Sequence, residues 1–193
     1  MKHRLLLLLF VVATFLCFGT LFVEGKRKKE KRRIVRIETS MGNIRVALSD
    51  DTPLHRDNFL RLAREGFYDG TLFHRCIKDF MIQGGDPEGT GMGGSDENIK
   101  GEFAANFVNN TISHKRGVIS MARGGNDYNS ASSQFFIMHK DASYLDAQYA
   151  GFGQVIEGLE IVDKIASVPT GRMGWYDDVP KTPVIIESIE IIE

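Results

Sequence analysis

The chain has few of the residues on which several common classes of site depend. Only two of its 193 residues are cysteines, and only Cys76 lies after residue 33, so residues 34–193 cannot form an internal disulfide. The histidines of that region, His55, His74, His114 and His139, lack the paired spacing of a metal site. A serine nucleophile elbow and a lysine-bearing phosphate loop are also missing. We therefore expect neither a metal ion nor a cofactor.

Positive charge is scarce outside the N-terminal segment. Residues 1–33 hold nine of the 24 basic residues and two of the 25 acidic ones. This leaves 15 basic and 23 acidic residues in residues 34–193, a net charge of −8. Nucleic-acid binding relies on lysine and arginine contacts to phosphates, so an acidic domain is a poor candidate for it. We expect no nucleic-acid partner.

Long apolar runs are absent except for one, Leu5 to Val23, which is uncharged. A run of this length suits either a signal peptide or a membrane span. The basic run Lys26 to Arg33 follows it and favours a solvated linker beside anionic headgroups over a nucleic-acid arm. The sequence thus predicts three parts: a signal peptide or anchor over residues 1–25, a basic linker over 26–33, and a globular domain over 34–193.

Whether the N-terminal segment is cleaved stays open. The residues "VEG" before Lys26 are tolerable at a cleavage site. Seven basic residues follow the apolar run and two precede it, and the positive-inside tendency would keep the C-terminal side cytoplasmic. In either case we expect a membrane-anchored or exported protein, whether secreted, periplasmic or in the secretory-pathway lumen.

Residues 34–193 contain many short strand-like runs and only two helical patterns. A hairpin is predicted around Met41-Gly42-Asn43, and six further strand runs follow, ending with "VIIESIEII". One helix is predicted to start at Thr52-Pro53 and to end at Gly66, and the other covers "GLEIVDKIAS". This order favours a mainly β fold, an antiparallel barrel or sandwich capped by helices.

One glycine-rich stretch satisfies a dinucleotide-binding pattern by spacing alone. Gly89, Gly91 and Gly94 in "GTGMGG" fit G-x-G-x-x-G. A dinucleotide site needs a strand before the glycines and a helix after them, whereas here Asp86-Pro87 precedes and "SDENIKGEF" follows. A flexible surface loop is the better interpretation.

Chemistry-bearing residues concentrate in three stretches: "FHRCIKDFMIQGGD" from Phe73, "SMARGGN" from Ser120, and "SSQFFIMHKDASYLDAQYAGFGQV" from Ser132. In these motifs, in their order and in their spacing, the chain closely resembles the cyclophilins, which are peptidyl-prolyl cis-trans isomerases. The resemblance covers essentially all of residues 34–193. It implies an eight-stranded antiparallel barrel closed by two helices, in agreement with the pattern of strands and helices.

The resemblance also implies site residues. Arg75 corresponds to the catalytic arginine, and the wall of a proline pocket corresponds to Phe80, Met81, Phe136 and Leu145. The groove that holds the peptide corresponds to Gln83, Ala122, Gln134 and the backbone of Arg123. Two substrate-binding positions differ from the most familiar eukaryotic members: Tyr144 stands where those have tryptophan, and Tyr149 where they have histidine. Both differences bear on ligand preference more than on catalysis, and we expect weak binding of cyclosporin-like ligands.

Two classes of function remain open from the sequence. The first is an isomerase that assists protein folding by accelerating X-Pro rotation, and the second is a module that holds proline-containing segments without useful turnover. The arginine and glutamines of the motifs favour the enzyme, acting as a monomer on proline-containing proteins or peptides. Nucleotide binding through the glycine-rich loop is a weak third interpretation.

Overall fold

The computed structural model describes residues 33–173 and 176–192, and the expectations for the N-terminal segment lie outside these residues. The described part contains two α-helices, α1 (Pro53–Arg64) and α2 (Leu159–Ala166), and short 3-10 turns at Ala104–Asn106 and Ser143–Leu145. It also contains ten strands: β1 Ile34–Thr39, β2 Gly42–Leu48, β3 Arg75–Ile77, β4 Met81–Gly84, β5 Val118–Met121, β6 Phe135–Met138, β7 Ala150–Glu157, β8 Thr170–Met173, β9 Tyr176–Pro180 and β10 Ile186–Ile191.

Eight of these strands form one antiparallel sheet in the order β10-β1-β2-β7-β5-β6-β4-β3. The mainly β class, the eight strands and the two helices predicted from the sequence are therefore confirmed. A second, two-stranded sheet pairs β8 with β9. The sequence analysis missed this hairpin because "TGRM" has no apolar alternation to mark a strand.

The sheet curls so that its two edges meet. The segment Gly70–Phe73 precedes β3, and the segment Val184–Ile186 leads into β10. Backbone hydrogen bonds of 2.8 to 2.9 Å join these two segments at three points. This pairing covers edge backbone groups that an open sheet would expose, and it gives the sheet its barrel-like form.

Successive residues of the strands that carry the three motifs point to opposite faces of the sheet. Cys76, Ile82, Ile137 and Ile119 are direct partners across β3, β4, β6 and β5, and each is at most 2% exposed. All four belong to the main core, so the residues immediately before and after them in sequence lie on the outer face.

The main core is built around aromatic rings. Phe59 of α1 lies with its ring centre 5.1 to 5.3 Å from the rings of Tyr68, Phe135 and Phe152. These four rings are fully buried, and they fix α1 against the inner face of the sheet. Helix α2 packs beside β2, where Ile161 lies close to Gly42.

Helix α1 is capped from a distant part of the chain. Thr52 occupies the predicted N-cap position, but its side chain makes no capping bond. Instead the backbone N–H groups of Leu54 and His55 donate to the Glu102 carboxylate at 3.2 and 2.9 Å, and the His55 ring nitrogen Nδ1 lies 2.7 Å from it. Burial acts to raise the pKa of Glu102, but these hydrogen bonds outweigh it and hold the pKa below its usual value.

The change Glu102→Gln is expected to lower the free energy of unfolding by about 1–3 kcal/mol. The amide keeps the shape of the side chain, which is 6% exposed, but it removes the charge and turns an N–H donor toward the helix N–H groups. Urea unfolding measures the loss. Glu187→Gln, on an exposed position of β10, serves as the control, and an equal effect of the two changes would contradict the capping role.

No helix among residues 33–173 and 176–192 is long and apolar enough to cross a membrane.

Candidate active site

The outer face carries a row of polar and aromatic residues across four strands. Arg75 on β3 pairs with Gln83 on β4, Gln83 pairs with Phe136 on β6, and Phe136 pairs with Ser120 on β5. Direct partners place their side chains on the same face of a sheet. The period of two therefore brings residues from all three sequence motifs onto one strip of the outer face of the sheet.

A groove of about 580 Å³ follows this strip. It is lined by ten of the eleven predicted site residues, namely Arg75, Phe80, Met81, Gln83, Ala122, Arg123, Gln134, Phe136, Leu145 and Tyr149. The two polar chain segments Gly91–Ser95 and Ser130–Ser132 contribute further lining residues. The structure thus brings together residues that lie up to 74 positions apart in the sequence.

One end of the groove is apolar. Met81, Phe136 and Leu145 are between 2% and 9% exposed and pack in a second apolar cluster, separate from the main core. Phe80 and Tyr149 pack against this cluster and remain partly exposed. Because its members are packed against one another and yet line the groove, this end forms a preformed apolar pocket.

A chain of hydrogen bonds runs along the polar wall of the groove. The Arg75 guanidinium donates to the Gln83 side-chain oxygen at 3.3 Å, and the Gln83 amide donates to the Gln134 side-chain oxygen at 2.9 Å. The Gln134 amide in turn donates to the carbonyl oxygens of Gly91 and Gly93, at 3.0 and 2.7 Å. Each amide both accepts and donates, so the orientation of both glutamines is fixed.

The glycine-rich loop forms part of the groove rim, which the sequence analysis did not foresee. The backbone N–H groups of Glu88, Gly91 and Gly93 donate to the buried Asp86 carboxylate at 2.6 to 3.2 Å. Burial acts to raise the pKa of Asp86, but these bonds outweigh it and keep the pKa below its usual value. The loop is therefore anchored at its base. The aspartate before the glycines was the feature of the sequence that could have predicted this anchoring.

The Arg123 side chain lies beside the groove, among three aromatic rings. Its guanidinium carbon is 5.5, 4.9 and 4.7 Å from the ring centres of Phe103, Tyr128 and Tyr149. Its Nε donates to the Gln148 carbonyl oxygen at 3.1 Å. The sequence analysis gave a role only to the Arg123 backbone, whereas the structure also places the side chain at the groove wall.

Tyr144 is the predicted site residue that the structure places outside the groove lining. It lies in the 3-10 turn Ser143–Leu145, which turns Leu145 inward and leaves Tyr144 70% exposed. Its ring stacks on Phe80, with ring centres 6.1 Å apart. Tyr144 can therefore reach a bound ligand only at the outer margin of the apolar pocket.

A serine, a histidine and an aspartate lie in line behind the apolar pocket. The His114 ring nitrogens are 2.9 Å from Asp146 Oδ1 and 3.0 Å from Ser120 Oγ, and the ring stacks on Phe136 at 6.0 Å. Burial lowers the pKa of His114, although Asp146 acts against this shift. Because Ser120 and His114 are fully buried, Ser120 cannot reach a substrate, and the network supports Phe136 from behind.

The remaining reactive residue types form no second centre in the part of the chain that the structure describes. Burial raises the pKa of the Cys76 thiol to about 12, so this cysteine is a poor nucleophile. Among residues 33–173 and 176–192 no three His, Cys, Asp or Glu side chains are grouped so as to hold a metal ion. Among the described residues, the groove is therefore the candidate site for catalysis.

Proteins similar to this chain in sequence include several peptidyl-prolyl cis-trans isomerases. The family model described as "Cyclophilin type peptidyl-prolyl cis-trans isomerase/CLD" matches residues 34–191. A peptidyl-prolyl cis-trans isomerase of Acinetobacter baylyi is 42% identical over 168 residues, 82% of this chain and 85% of its own length. Peptidyl-prolyl cis-trans isomerase B of Escherichia coli is 41% identical over 170 residues, 83% of this chain and 100% of its own length.

The fold agrees with these relatives. A crystal structure of a cyclophilin-type isomerase from Cryptosporidium parvum, determined in the presence of the dipeptide Ala-Pro, superposes with a TM-score of 0.75 at 33% identity. The match covers 83% of this chain and 99% of that one. The curled sheet, the groove on its outer face and the matched residues 34–191 together show that the chain belongs to the cyclophilin-type peptidyl-prolyl cis-trans isomerase family.

Proposed function

We propose that the groove accelerates rotation about X-Pro bonds with Arg75 as the catalytic residue and with Phe80, Met81, Phe136 and Leu145 holding the proline ring. The observation that carries this proposal is a guanidinium that lines the same groove as the apolar pocket and donates to the first of two oriented glutamines. The substrates are proteins or peptides that contain proline. Neither a metal ion nor a cofactor enters the mechanism.

The physical task is to stabilise a twisted amide. Resonance keeps the X-Pro bond planar, and rotation crosses a barrier of about 18–20 kcal/mol in tens to hundreds of seconds. Resonance is lost at the twisted transition state, and the prolyl nitrogen gains a lone pair that can accept a hydrogen bond. A guanidinium that donates to this nitrogen binds the twisted state better than the planar one, which is the condition for catalysis.

The structure supports this assignment of Arg75. Its side chain is 31% exposed, its Nε is 3.8 Å from Asp178, and one NH group donates to Gln83. These contacts hold the guanidinium by one side and leave another N–H edge for a ligand in the groove. A guanidinium carries several N–H donors in a fixed planar arrangement, which suits it to donate to the substrate while it keeps its bond to Gln83.

The other residues of the groove bind two parts of the substrate, the proline ring and the peptide beside it. The apolar pocket binds the proline ring and excludes water from it, and exclusion of water strengthens the hydrogen bond that Arg75 donates. Gln83, Gln134, Ala122 and the backbone of Arg123 hold the peptide beside the pocket. An acceleration of about 10⁵ would require about 7 kcal/mol of such differential binding.

Measurement of isomerisation on a short proline peptide with the full chain tests the proposal. Exchange spectroscopy by NMR reports the catalysed rate without a coupling protease. Catalysis that saturates with peptide concentration supports the enzyme. Peptide binding without acceleration would instead support the alternative from the sequence, a module that holds proline-containing segments without turnover.

Tyr144→Trp is expected to tighten the binding of cyclosporin by up to about 3 kcal/mol, the scale of one hydrogen bond with an aromatic contact. The Tyr144 ring lies at the outer margin of the pocket, stacked on Phe80, and an indole there offers an N–H donor that tyrosine lacks in that position. Isothermal titration calorimetry on both proteins measures the change. Unchanged affinity would show that this position does not determine cyclosporin binding. Phe107→Trp, at an exposed aromatic position outside the groove lining, is the matched control.

We further infer that residues 1–25 act as a signal peptide or membrane anchor, with residues 26–33 as a basic linker, so that the protein is membrane-associated or exported. The support is the composition of the apolar run and of the basic run after it. Cell fractionation with N-terminal sequencing tests this inference. A soluble exported chain that begins near Lys26 indicates cleavage, a full-length chain in the membrane fraction indicates an anchor, and a full-length chain in the soluble cytosolic fraction contradicts both.

A further inference from the structure

The charge of the groove is opposite to that of the domain around it. Residues 34–193 carry a net charge of −8. Yet, within the part of the chain that the structure describes, the only ionised side chains that line the groove are those of Arg75 and Arg123. The lining contains no aspartate or glutamate from residues 33–173 or 176–192. An acidic domain with a positively charged groove attracts negative charge to that groove specifically.

Arg123 is held by neutral groups alone. The centres of three aromatic rings lie 4.7 to 5.5 Å from its guanidinium carbon. Its Nε and one NH group donate hydrogen bonds of 2.9 to 3.2 Å to the carbonyl oxygens of Gln148, Gly124 and Gly125. Among the described residues no carboxylate lies within ion-pair distance of it, whereas Arg75, Arg116 and most other arginines have one. Its position is therefore fixed while its charge is not neutralised.

The distance from Arg123 to the proline pocket sets the position of its ligand. The Arg123 guanidinium carbon is 4.7 Å from the Tyr149 ring centre, which is 5.8 Å from the Phe136 ring centre. The guanidinium is thus at most about 10.5 Å from the pocket wall, the two distances combined. An extended peptide advances about 3.3 Å per residue, so this distance corresponds to at most about three residues from the proline.

Building on the proposed function, we propose that the Arg123 side chain forms an anion subsite that binds the carboxylate of an aspartate or glutamate located two or three residues from the substrate proline. Arg123 is thereby a specificity-determining residue of the isomerase, and acidic segments around proline are its preferred substrate class. A planar guanidinium matches the two oxygens of a carboxylate, and the remaining NH group of Arg123 supplies a free edge for it.

A paired set of peptides tests the subsite. Each peptide has one proline in an alanine background with either glutamate or glutamine at one of the three positions before or after the proline. The ratio of kcat/KM for the glutamate and glutamine peptides is measured with the full chain by NMR exchange at low salt. We expect a ratio of about two to five at a position two or three residues from the proline. The ratio is expected to fall toward one as salt is raised.

Substitutions test whether Arg123 is the residue that causes the preference for glutamate peptides. Arg123→Gln is expected to bring the ratio to one, Arg123→Lys to retain part of it, and the control Arg116→Gln, in which an arginine already paired with Asp163 is changed, to leave it intact. The ratio compares two substrates of one protein, so a partial loss of folded protein does not affect it. A preference that persists in Arg123→Gln would assign it to Arg75 and overturn the proposal.

Two further results separate this inference from the function on which it rests. Efficient isomerisation of both peptides, with a ratio of one at all six positions, would overturn the anion subsite and leave the isomerase assignment standing. Absence of catalysed exchange for every peptide would overturn both.

Discussion

Arg75→Ala is expected to lower kcat/KM for X-Pro isomerisation by about 10²–10³, the usual effect of removing one donor that acts on the transition state. The fold should be almost unaffected, because the side chain is 31% exposed and loses one 3.3 Å hydrogen bond and one 3.8 Å ion pair. Partly exposed interactions of this kind are worth less than about 1 kcal/mol each. Kinetics on a proline peptide and urea unfolding of the same preparation measure the two effects.

Arg75→Lys distinguishes the guanidinium from its charge. Lysine keeps the positive charge but lacks the planar, weakly hydrated group that donates to Gln83 and to the substrate together, so most of the activity should still be lost. Arg116→Ala is the control, because it removes an exposed arginine paired with Asp163 outside the groove. Wild-type rates in Arg75→Lys would refute the proposed role of Arg75.

Phe136→Ala is expected to lower the free energy of unfolding by about 3–5 kcal/mol and to raise KM as well. Phe136 is 6% exposed, its ring contacts those of Tyr149 and His114, and it also forms a wall of the apolar pocket. Its removal leaves a cavity where the substrate proline would otherwise pack. The loss is a large part of the 5–15 kcal/mol typical of a folded domain.

Phe107→Ala is the matched control for this change. Phe107 is 99% exposed, so its removal should alter stability by less than about 0.5 kcal/mol. Phe136→Leu separates the two roles of the residue, because leucine restores most of the apolar volume and with it most of the stability, but not the flat ring surface. If Phe136→Ala bound proline peptides as tightly as the wild type, the ring would not be part of the pocket.

The general architecture could be predicted because strands and helices are encoded locally. Alternation marks β1 and β2, and the short buried runs around Cys76, Ile82 and Ile137 mark three more strands. The roles proposed for Arg75 and the pocket residues did not follow from alternation, since a lone arginine on a strand is usually a surface ion-pair partner. They followed from the resemblance of three separated motifs to one family.

The parts of the site that sequence reasoning missed depend on backbone groups or on distant partners. Gly91 and Gly93 contribute backbone N–H and carbonyl groups. Because every residue has a backbone carbonyl, and almost every residue a backbone N–H, the residue type does not indicate this role. The cap of α1 comes from Glu102, 48 residues beyond Leu54. The aromatic rings around Arg123 belong to Phe103, Tyr128 and Tyr149, which are separated in sequence and come together only in the folded chain.

The pairing of β1 with β10 places the first and last strands of the domain in direct register, with Val35 opposite Ile191. Directly opposed residues of antiparallel strands are about 4.5–5.5 Å apart, so a linker of a few residues suffices to join the two ends. A circular permutant joined there and opened at the exposed Gly125, where a side chain would meet open space, would keep every strand pair. The identity of the fold therefore resides in which strands are neighbours and not in the order in which they are synthesised.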